Sequence, residues 1–394
     1  MTELIPVADA QARLFALRAP VETENAPLAT AAGRWAAADI LALRDQPGAD
    51  LSAMDGYALR FADLARPLRV IGESAAGRAF AGTVGPGEAV RIFTGAPMPD
   101  GADSVLVQEE AARTGDILTL AGEGPPRVGA HIRRRAMDFA HDAVLIPAGA
   151  RLTPAAIGLA AAGGHGTLPV RRRVRVAIVS TGDELVPAGE PLAANQLPSS
   201  NAPMLAALLS GLPVEIVDGG IVRDDLATLA AAFAAIEADI IVTTGGASVG
   251  DHDLVRPALL AAGGRLDFWR IALRPGKPLL AGTLGPAILL GLPGNPVSAF
   301  VTAMLFLKPL VAHLSGAADP LPRLAQAPLA HDLPANGPRL DYIRARRTDA
   351  GLDAFALQDS GMLAALAGSD ALIHRPPHAP PARAGEIAEY LPLA

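Results

Sequence analysis

Four acidic side chains, Glu184, Asp224, Asp251 and Asp253, each lie within a few residues of glycine and shortly after a β-branched apolar run. Carboxylates in such loops hold a divalent cation through hard oxygen ligands, with magnesium the best match, or accept a ribose hydroxyl. Asp253 stands where a helix is expected to begin and serves equally well as its cap. Backbone donors accompany the acids. Gly245 and Gly246, followed by Ser248 and Gly250, succeed the apolar run Ile240 to Val242 and precede a helical pattern, so bare N–H groups and a helix dipole face one point. A glycine pair after a strand is also an ordinary tight turn. The stretch Gly-Leu-Pro-Gly-Asn-Pro-Val-Ser at 291–298 carries Pro293, Gly294, Asn295 and Ser298 into another helix, an arrangement suited to wrapping a phosphate.

Between these stretches lie Arg270, Arg274 and Lys277, three cations in eight residues, flanked by Pro275, Gly276 and Pro278. Arginine receives oxyanions through a planar fork and lysine as a point charge, so a tetrahedral oxoanion or phosphate fits them. A lone basic run is more often a solvated surface; the prolines, which stiffen the backbone, argue against that here.

The elements that must position these residues follow from periodicity. From Arg173 onward, apolar strands alternate with helical patterns: strand 174–179, helix 201–209, strand 214–217, helix 226–236, strand 239–242, a helix to 260, strand 287–290 and helix 297–314. Strands separated by helices require crossovers, hence a mostly parallel sheet covered on both faces, with ligands at the carboxyl edge. All four loops, 180–184, 218–225, 243–253 and 291–298, open on that edge. Upstream, residues 46–138 hold short β-like runs punctuated by glycine and proline. Helices are expected over 7–18 and from Thr153-Pro154 to Gly163, packed on each other. Residues 318–338 read as a proline-rich linker, and 339–394 as a small β-barrel or sandwich. The expected architecture is therefore multidomain α/β plus β. A discontinuous linking domain (1–45 and 139–172) carries an inserted β-rich domain (46–138); a three-layer αβα domain (173–317) and a C-terminal β-barrel domain (318–394) follow.

Composition narrows the function classes. The 394 residues exceed what one hydrophobic core supports. Lysine and arginine number 33 against 40 acids, a net charge of −7, which disfavours nucleic acid and anionic membranes as partners. The absence of cysteine removes disulfides, thiolate metal sites and cysteine nucleophiles. The first residues lack the pattern of a signal peptide, and the apolar run 301–314 is broken by Lys308 and Pro309, so a soluble, cytoplasmic protein is expected.

Set side by side, STGDEL (180–185), GIVRDD (220–225), TTGGASVGDHD (243–253), LRPGKP (273–278) and GLPGNPVSAF (291–300) resemble the molybdenum-cofactor domain of molybdopterin molybdenumtransferases, the MoeA and gephyrin E-domain family. SAMDGYALR (52–60), RIFTGAPMPDGADSVLVQEE (91–110) and IRRRAMD (132–138) extend the resemblance over nearly the whole chain. It implies an enzyme that takes adenylylated molybdopterin and molybdate, inserts the metal at the dithiolene and releases AMP with Mg2+ or another divalent cation. The family's functional acids fall on Asp55, Asp138, Glu184, Asp224 and Asp253, with the metal on Glu184, Asp224 and Asp138, and its functional threonine on Thr94. Its anion positions fall on Arg270, Arg274 and Lys277, with Arg344 a further candidate; Ser360 or Ser369 would be its C-terminal serine. The resemblance also implies a homodimer whose site is shared, with Asp55 and Thr94 reaching the pocket of the other chain.

The chain departs from the family pattern at Arg274, where lysine is commoner, and at Ala136-Met137, where Gly-Glu is commoner before the aspartate. It also lacks the aspartate that usually stands two places before Asn201. Other readings of the same domain are adenylylation of molybdopterin, which the β-rich region 46–138 argues against, a non-catalytic scaffold, and a tungsten-selective insertase.

Overall fold

A computed structural model of the chain describes residues 4–246 and 254–393. Its central sheet contains β1 (Val174–Thr181), β2 (Val214–Val222), β3 (Ile240–Thr244), β4 (Arg265–Trp269), β5 (Leu280–Leu284) and β6 (Ala287–Leu292), in the order β2-β1-β3-β6-β5-β4. β1 runs parallel to β2 and β3, and β3 parallel to β6. β5 is antiparallel to both β6 and β4. This antiparallel edge was not expected from the apolar pattern, because β4 carries Arg265 and Asp267 and β5 is interrupted by Gly282.

Strand alternation makes the three layers. Val176 and Ile178 of β1, Ile240 and Val242 of β3, and Ile288 and Leu290 of β6 enter one apolar cluster. Their neighbours Val179, Ile241 and Leu289 enter a second cluster on the opposite face. Helices α1 (Val7–Ala16) and α2 (Asn201–Leu209), with the helical run 296–314, cover the first face. Helices α3 (Leu226–Ala235) and α4 (Val255–Ala261) cover the second.

The run from Pro296 to Leu314 is one helical segment, and by length and composition it would span a membrane, but 83% of its apolar window is buried as the core helix of the first cluster. It widens into a π turn at Ala303–Leu307 just before Pro309. A proline inside a helix cannot donate to the carbonyl four residues back. That carbonyl, Leu305 O, instead accepts the buried Gln11 Nε2 of α1 at 2.7 Å. Helix α1 accordingly joins the central cluster, whereas Ala160 of the 154–162 helix lies in a separate one. The expected packing of these two helices on each other is thus corrected: α1 is recruited by the proline-opened turn.

Around the β-rich region, Thr23–Pro27 pairs with Thr167–Arg171, Ile40–Leu41 with Val144–Ile146, and Gln46 with Phe139. Between these pairings, six strands from Gly56–Leu59 to Ile117–Leu120 make one sheet. The helix Pro154–Ala162 starts as its sequence dictates, with Thr153 Oγ1 accepting Ala156 N at 3.2 Å and proline in its first turn.

Toward the carboxyl end, strands Ala325–Pro328, Leu340–Thr348, Gly351–Ala354, Ala371–Arg375 and Ile387–Pro392 form a small barrel, closed where Ala330 N donates to Leu352 O at 2.9 Å. The stretch 318–338 is therefore more than a linker. It supplies a strand and the buried side chains Leu329 and Leu333, because its alanines and leucines alternate between prolines. Leu273–Arg274 adds to the barrel sheet in parallel with Leu340–Asp341, tying it to the central unit.

Candidate functional site

The chain leaves β1 for β2 on one side of the sheet and returns to β3 on the other, so the connections diverge between β1 and β3. A cleft of about 530 Å3 opens there. Glu184, Asp224, Gly245, Gly246, Pro293, Gly294 and Asn295 all line it, along with Thr181 and Asn201. Ser248 and Asp253 lie outside the described residues.

Each wall has a local cause. Asp225 caps α3, accepting Thr228 N at 2.8 Å and Thr228 Oγ1 at 2.7 Å, which leaves the preceding Asp224 on the cleft. The backbone N–H of Asp224 donates to Asp183 Oδ1 at 3.3 Å and so joins the loops after β1 and β2. The Glu184 carboxylate folds back over Gly182: a Cβ added at Gly182 would meet Glu184 Oε2 at 2.6 Å and Oε1 at 2.8 Å. Gly245, at φ +104°, comes so near β1 that a Cβ would stand 2.6 Å from Thr181 O. Here glycine is required by both backbone angle and space.

The donor set differs from the expected one. Gly245 N donates to Leu292 O at 3.2 Å, so this N–H holds the turn and does not face a ligand. Ser298 is buried and does not line the cleft; its carbonyl accepts Thr302 Oγ1 at 2.7 Å. The loop after Val217 is shorter than expected because β2 continues through Asp218-Gly219-Gly220 to Val222, and Gly219 lets the chain pass a bulge beside Ile178. Two buried polar atoms on the cleft, Thr181 Oγ1 and Asn201 Oδ1, have no hydrogen-bond partner within the described protein. Thr181 belongs to the STGDEL segment and Asn201 to the stretch that departs from the family pattern, but nothing in spacing marked these atoms as orphaned.

The three clustered cations do not line this cleft; of their segment only Pro278 does. Arg274 is bound by two hydrogen bonds to Asp341, one of them Nε to Oδ2 at 2.8 Å, and that carboxylate raises the arginine's pKa. Asp341 gave no signal in sequence, since it meets Arg274 only through the register that pairs 273–274 with 340–341. Arg270 adopts φ +74°, lays its guanidinium 4.1 Å from the Trp269 ring centroid and keeps a buried Nε without a hydrogen bond. Lys277 is exposed, and its carbonyl accepts Ile271 N at 3.0 Å.

Arg344 is 1% exposed. Its guanidinium donates to Met362 O, Leu357 O, Asp359 O and Gln358 Oε1, at 3.0, 3.2, 2.9 and 3.3 Å. Burial lowers its pKa, against the attraction of Asp359. The side chain thus holds the loop 357–362, whose Ser360 Oγ accepts Asn295 Nδ2 at 3.0 Å while Ser360 O accepts Val297 N at 3.0 Å. Of the two candidate serines, Ser360 is brought to the cleft's rim; Ser369 Oγ instead donates to Ala365 O in its own helical turn.

Asp55 and Thr94 lie in the β-rich region, joined by two hydrogen bonds to one carboxylate oxygen, from Thr94 N at 2.7 Å and Thr94 Oγ1 at 2.8 Å. These bonds lower the Asp55 pKa. Asp138 is exposed and donates its N–H to Gln46 O at 2.9 Å. No cluster of three metal-ligating side chains occurs among the described residues. The pair Glu184 and Asp224 suits magnesium, which takes one or two carboxylates and completes its shell with water and phosphate oxygens.

Comparison with known proteins covers the chain in three parts. Profiles described as "MoeA N-terminal region (domain I and II)", "Probable molybdopterin binding domain" and "MoeA C-terminal region (domain IV)" match residues 5–164, 177–313 and 326–393. A molybdopterin molybdenumtransferase of Haemophilus influenzae is 40% identical over 304 residues, 75% of this chain and 74% of that protein. One of Staphylococcus aureus is 30% identical over 400 residues, 98% of this chain and 95% of that one. A crystal structure of the molybdopterin biosynthesis moeA protein from Pyrococcus horikoshii superposes with a TM-score of 0.85 at 29% identity, covering 99% and 100% of the two chains. Similarity of this extent, running through all the parts of the fold that shape the cleft, places the chain in the molybdopterin molybdenumtransferase family of transferases.

Proposed function

We propose that this protein inserts molybdenum from molybdate into adenylylated molybdopterin, releasing AMP and completing the molybdenum cofactor in the cytoplasm. The observation that carries the reading is the cleft at the β1/β3 divergence, where two carboxylates from different loops, Glu184 and Asp224, face the glycine turns at 245–246 and 294. The orphaned Thr181 Oγ1 and Asn201 Oδ1 supply one polar contact each for a pterin or nucleotide.

Catalysis in this reading is positioning and electrostatics. Glu184 and Asp224 hold the divalent cation, which supplies charge neutralisation at the pyrophosphate when bound. Gly182 keeps the Glu184 carboxylate aimed by leaving room for it. Arg270 and Lys277, which lie off the cleft lining, are assigned to the oxoanion through the family pattern, with Arg274 joining them only after exchanging Asp341 for substrate; Ser248 and Asp253 keep the substrate-binding and catalytic roles that the same pattern implies. Arg344 and Ser360 place the rim. Asp138 is assigned to the metal through the family pattern. Asp55 and Thr94 act on the cleft of a second copy, and the chain divides at 45/46, 138/139, 172/173 and 317/318.

The test is reconstitution with adenylylated molybdopterin and molybdate or tungstate, measuring AMP and active cofactor. Glu184→Gln and Asp224→Asn should each lower AMP release about 100-fold. Full activity in both variants would remove these acids from the mechanism. Tungstate turnover exceeding molybdate turnover would change the metal assigned.

A further inference from the structure

Away from the cleft, a cavity of about 290 Å3 lies where the central unit, the N-terminal region and the carboxyl-terminal barrel meet. Its charged lining consists of Arg151, Lys308, Arg323 and Asp319, three cations against one acid in a chain of net charge −7. The acid is engaged by Arg323 at 3.3 Å. Among the described residues Arg151 is held by carbonyls alone, donating to Gly211 O at 2.9 Å and Gly33 O at 3.3 Å, while its guanidinium lies 5.5 Å from the Trp35 ring centroid. Lys308 makes no ion pair with any described residue, although it sits in the middle of the core helix.

Two facts make Lys308 more than a snorkelling surface lysine. It follows the π turn at Ala303–Leu307 directly, so the local register of the helix, set by Pro309 and Gln11, is what presents it together with Met304 on the cavity. Such turns recur at functional sites. Burial and the neighbouring Arg151 also lower its pKa, as expected of a cation whose counter-charge is missing. The remaining lining is apolar, including Trp35, Leu212, Leu321 and Leu391. Inorganic phosphate would leave that surface unused.

We infer that this cavity is a second ligand site, for a small organic anion whose charge lies between Lys308 and Arg151 and whose apolar body lies against Trp35. The class is an aryl or short alkyl phosphate or carboxylate. Because the lining comes from Trp35 and Arg151, the 304–312 helix, the 319–323 segment and Leu391, the bound anion ties three regions of the fold together.

Trp35 is the natural reporter, since the chain has only one other tryptophan, Trp269. The full-length Trp269→Phe protein is titrated with phenyl phosphate, inorganic phosphate and benzyl alcohol, following Trp35 emission. The same titrations on the wild-type chain labelled with 5-fluorotryptophan and read by 19F NMR avoid reliance on that variant folding. Phenyl phosphate should give a saturable change, with Kd about tenfold lower than either fragment alone. Lys308→Met should weaken it about tenfold and Lys308→Arg should restore it. No saturable change at Trp35, equal binding of benzyl alcohol, or binding untouched by Lys308→Met overturns the assignment.

Discussion

One oxygen of Asp55 accepts both the backbone N–H and the hydroxyl of Thr94, at 2.7 and 2.8 Å, although the two residues stand 39 positions apart in the chain. The pair fixes a carboxylate at the surface of the β-rich sheet, where burial does not account for it. If that carboxylate completes the cleft of a second copy, two inactive variants rescue each other. An equimolar mixture of Asp55→Asn and Glu184→Gln, dissociated and reassembled, should regain about a quarter of wild-type turnover, because half the dimers are mixed and each has one intact site. Activity that stays at the level of the separate variants would place both residues in the same chain's site.

The bonds from Thr94 depress the Asp55 pKa, so the stabilisation they provide is complete above the ordinary aspartate range and is lost as pH falls through the lowered value. Thr94→Val removes the hydroxyl and should move the acid limb of the activity profile toward higher pH while leaving the neutral plateau shape unchanged. A pH profile of turnover for the two proteins decides it.

Glu184 is aimed by the absence of a side chain at Gly182. Gly182→Ala would put a Cβ 2.6 Å from Glu184 Oε2, and the flexible carboxylate is the group that moves. AMP release should fall at least about tenfold, with a smaller effect on the pterin nucleotide's affinity than on turnover. Unchanged turnover would mean the observed carboxylate position is not the working one.

Arg344 distinguishes a structural from a ligand role. Its donors reach four acceptors in the 357–362 loop, a fork that lysine does not reproduce. Arg344→Lys should lower the unfolding free energy by about 2–4 kcal/mol, measured by urea denaturation, and expose the Ser360 loop to proteolysis. Wild-type stability combined with weakened molybdate binding would instead make it an anion ligand.

Ala136 stands at φ +59°, donating to Pro47 O at 3.0 Å, in the turn where the family more often has glycine. A Cβ in this conformation costs about 1 kcal/mol, partly offset by the entropy glycine loses on folding. Ala136→Gly should therefore raise stability by about 0.5 kcal/mol without altering turnover, as read by thermal melting.

Lys308 is a cation whose folded pKa lies below its unfolded value, so it opposes folding at neutral pH and that opposition fades as pH rises toward the ordinary lysine range. Lys308→Met should raise the melting temperature by a few degrees at neutral pH, and by less at alkaline pH. A lower melting temperature would show that the ammonium has a partner which stabilises it.

Periodicity and turn chemistry made the αβα layer legible, because strands 174–181 and 240–244 contain the apolar stretches 176–179 and 240–242, and Thr153-Pro154 and Asp225 cap helices through contacts only a few residues long. The same locality exposed Glu184 and Asp224, which sit at strand ends where any parallel sheet opens. Specific motifs, compared with a known family, supplied Asp55 and Thr94, which have no local signature. What the tertiary structure alone decided depends on long-range register: Arg274 meeting Asp341, Gly245 giving its N–H to Leu292, Gln11 reaching the carbonyl that Pro309 leaves free, and Arg344 turning inward to hold Ser360 beside Asn295. These contacts join residues from 15 to 294 positions apart. A one-dimensional pattern carries residue type and spacing, but hydrogen-bond partners over such distances are set only when the layers pack.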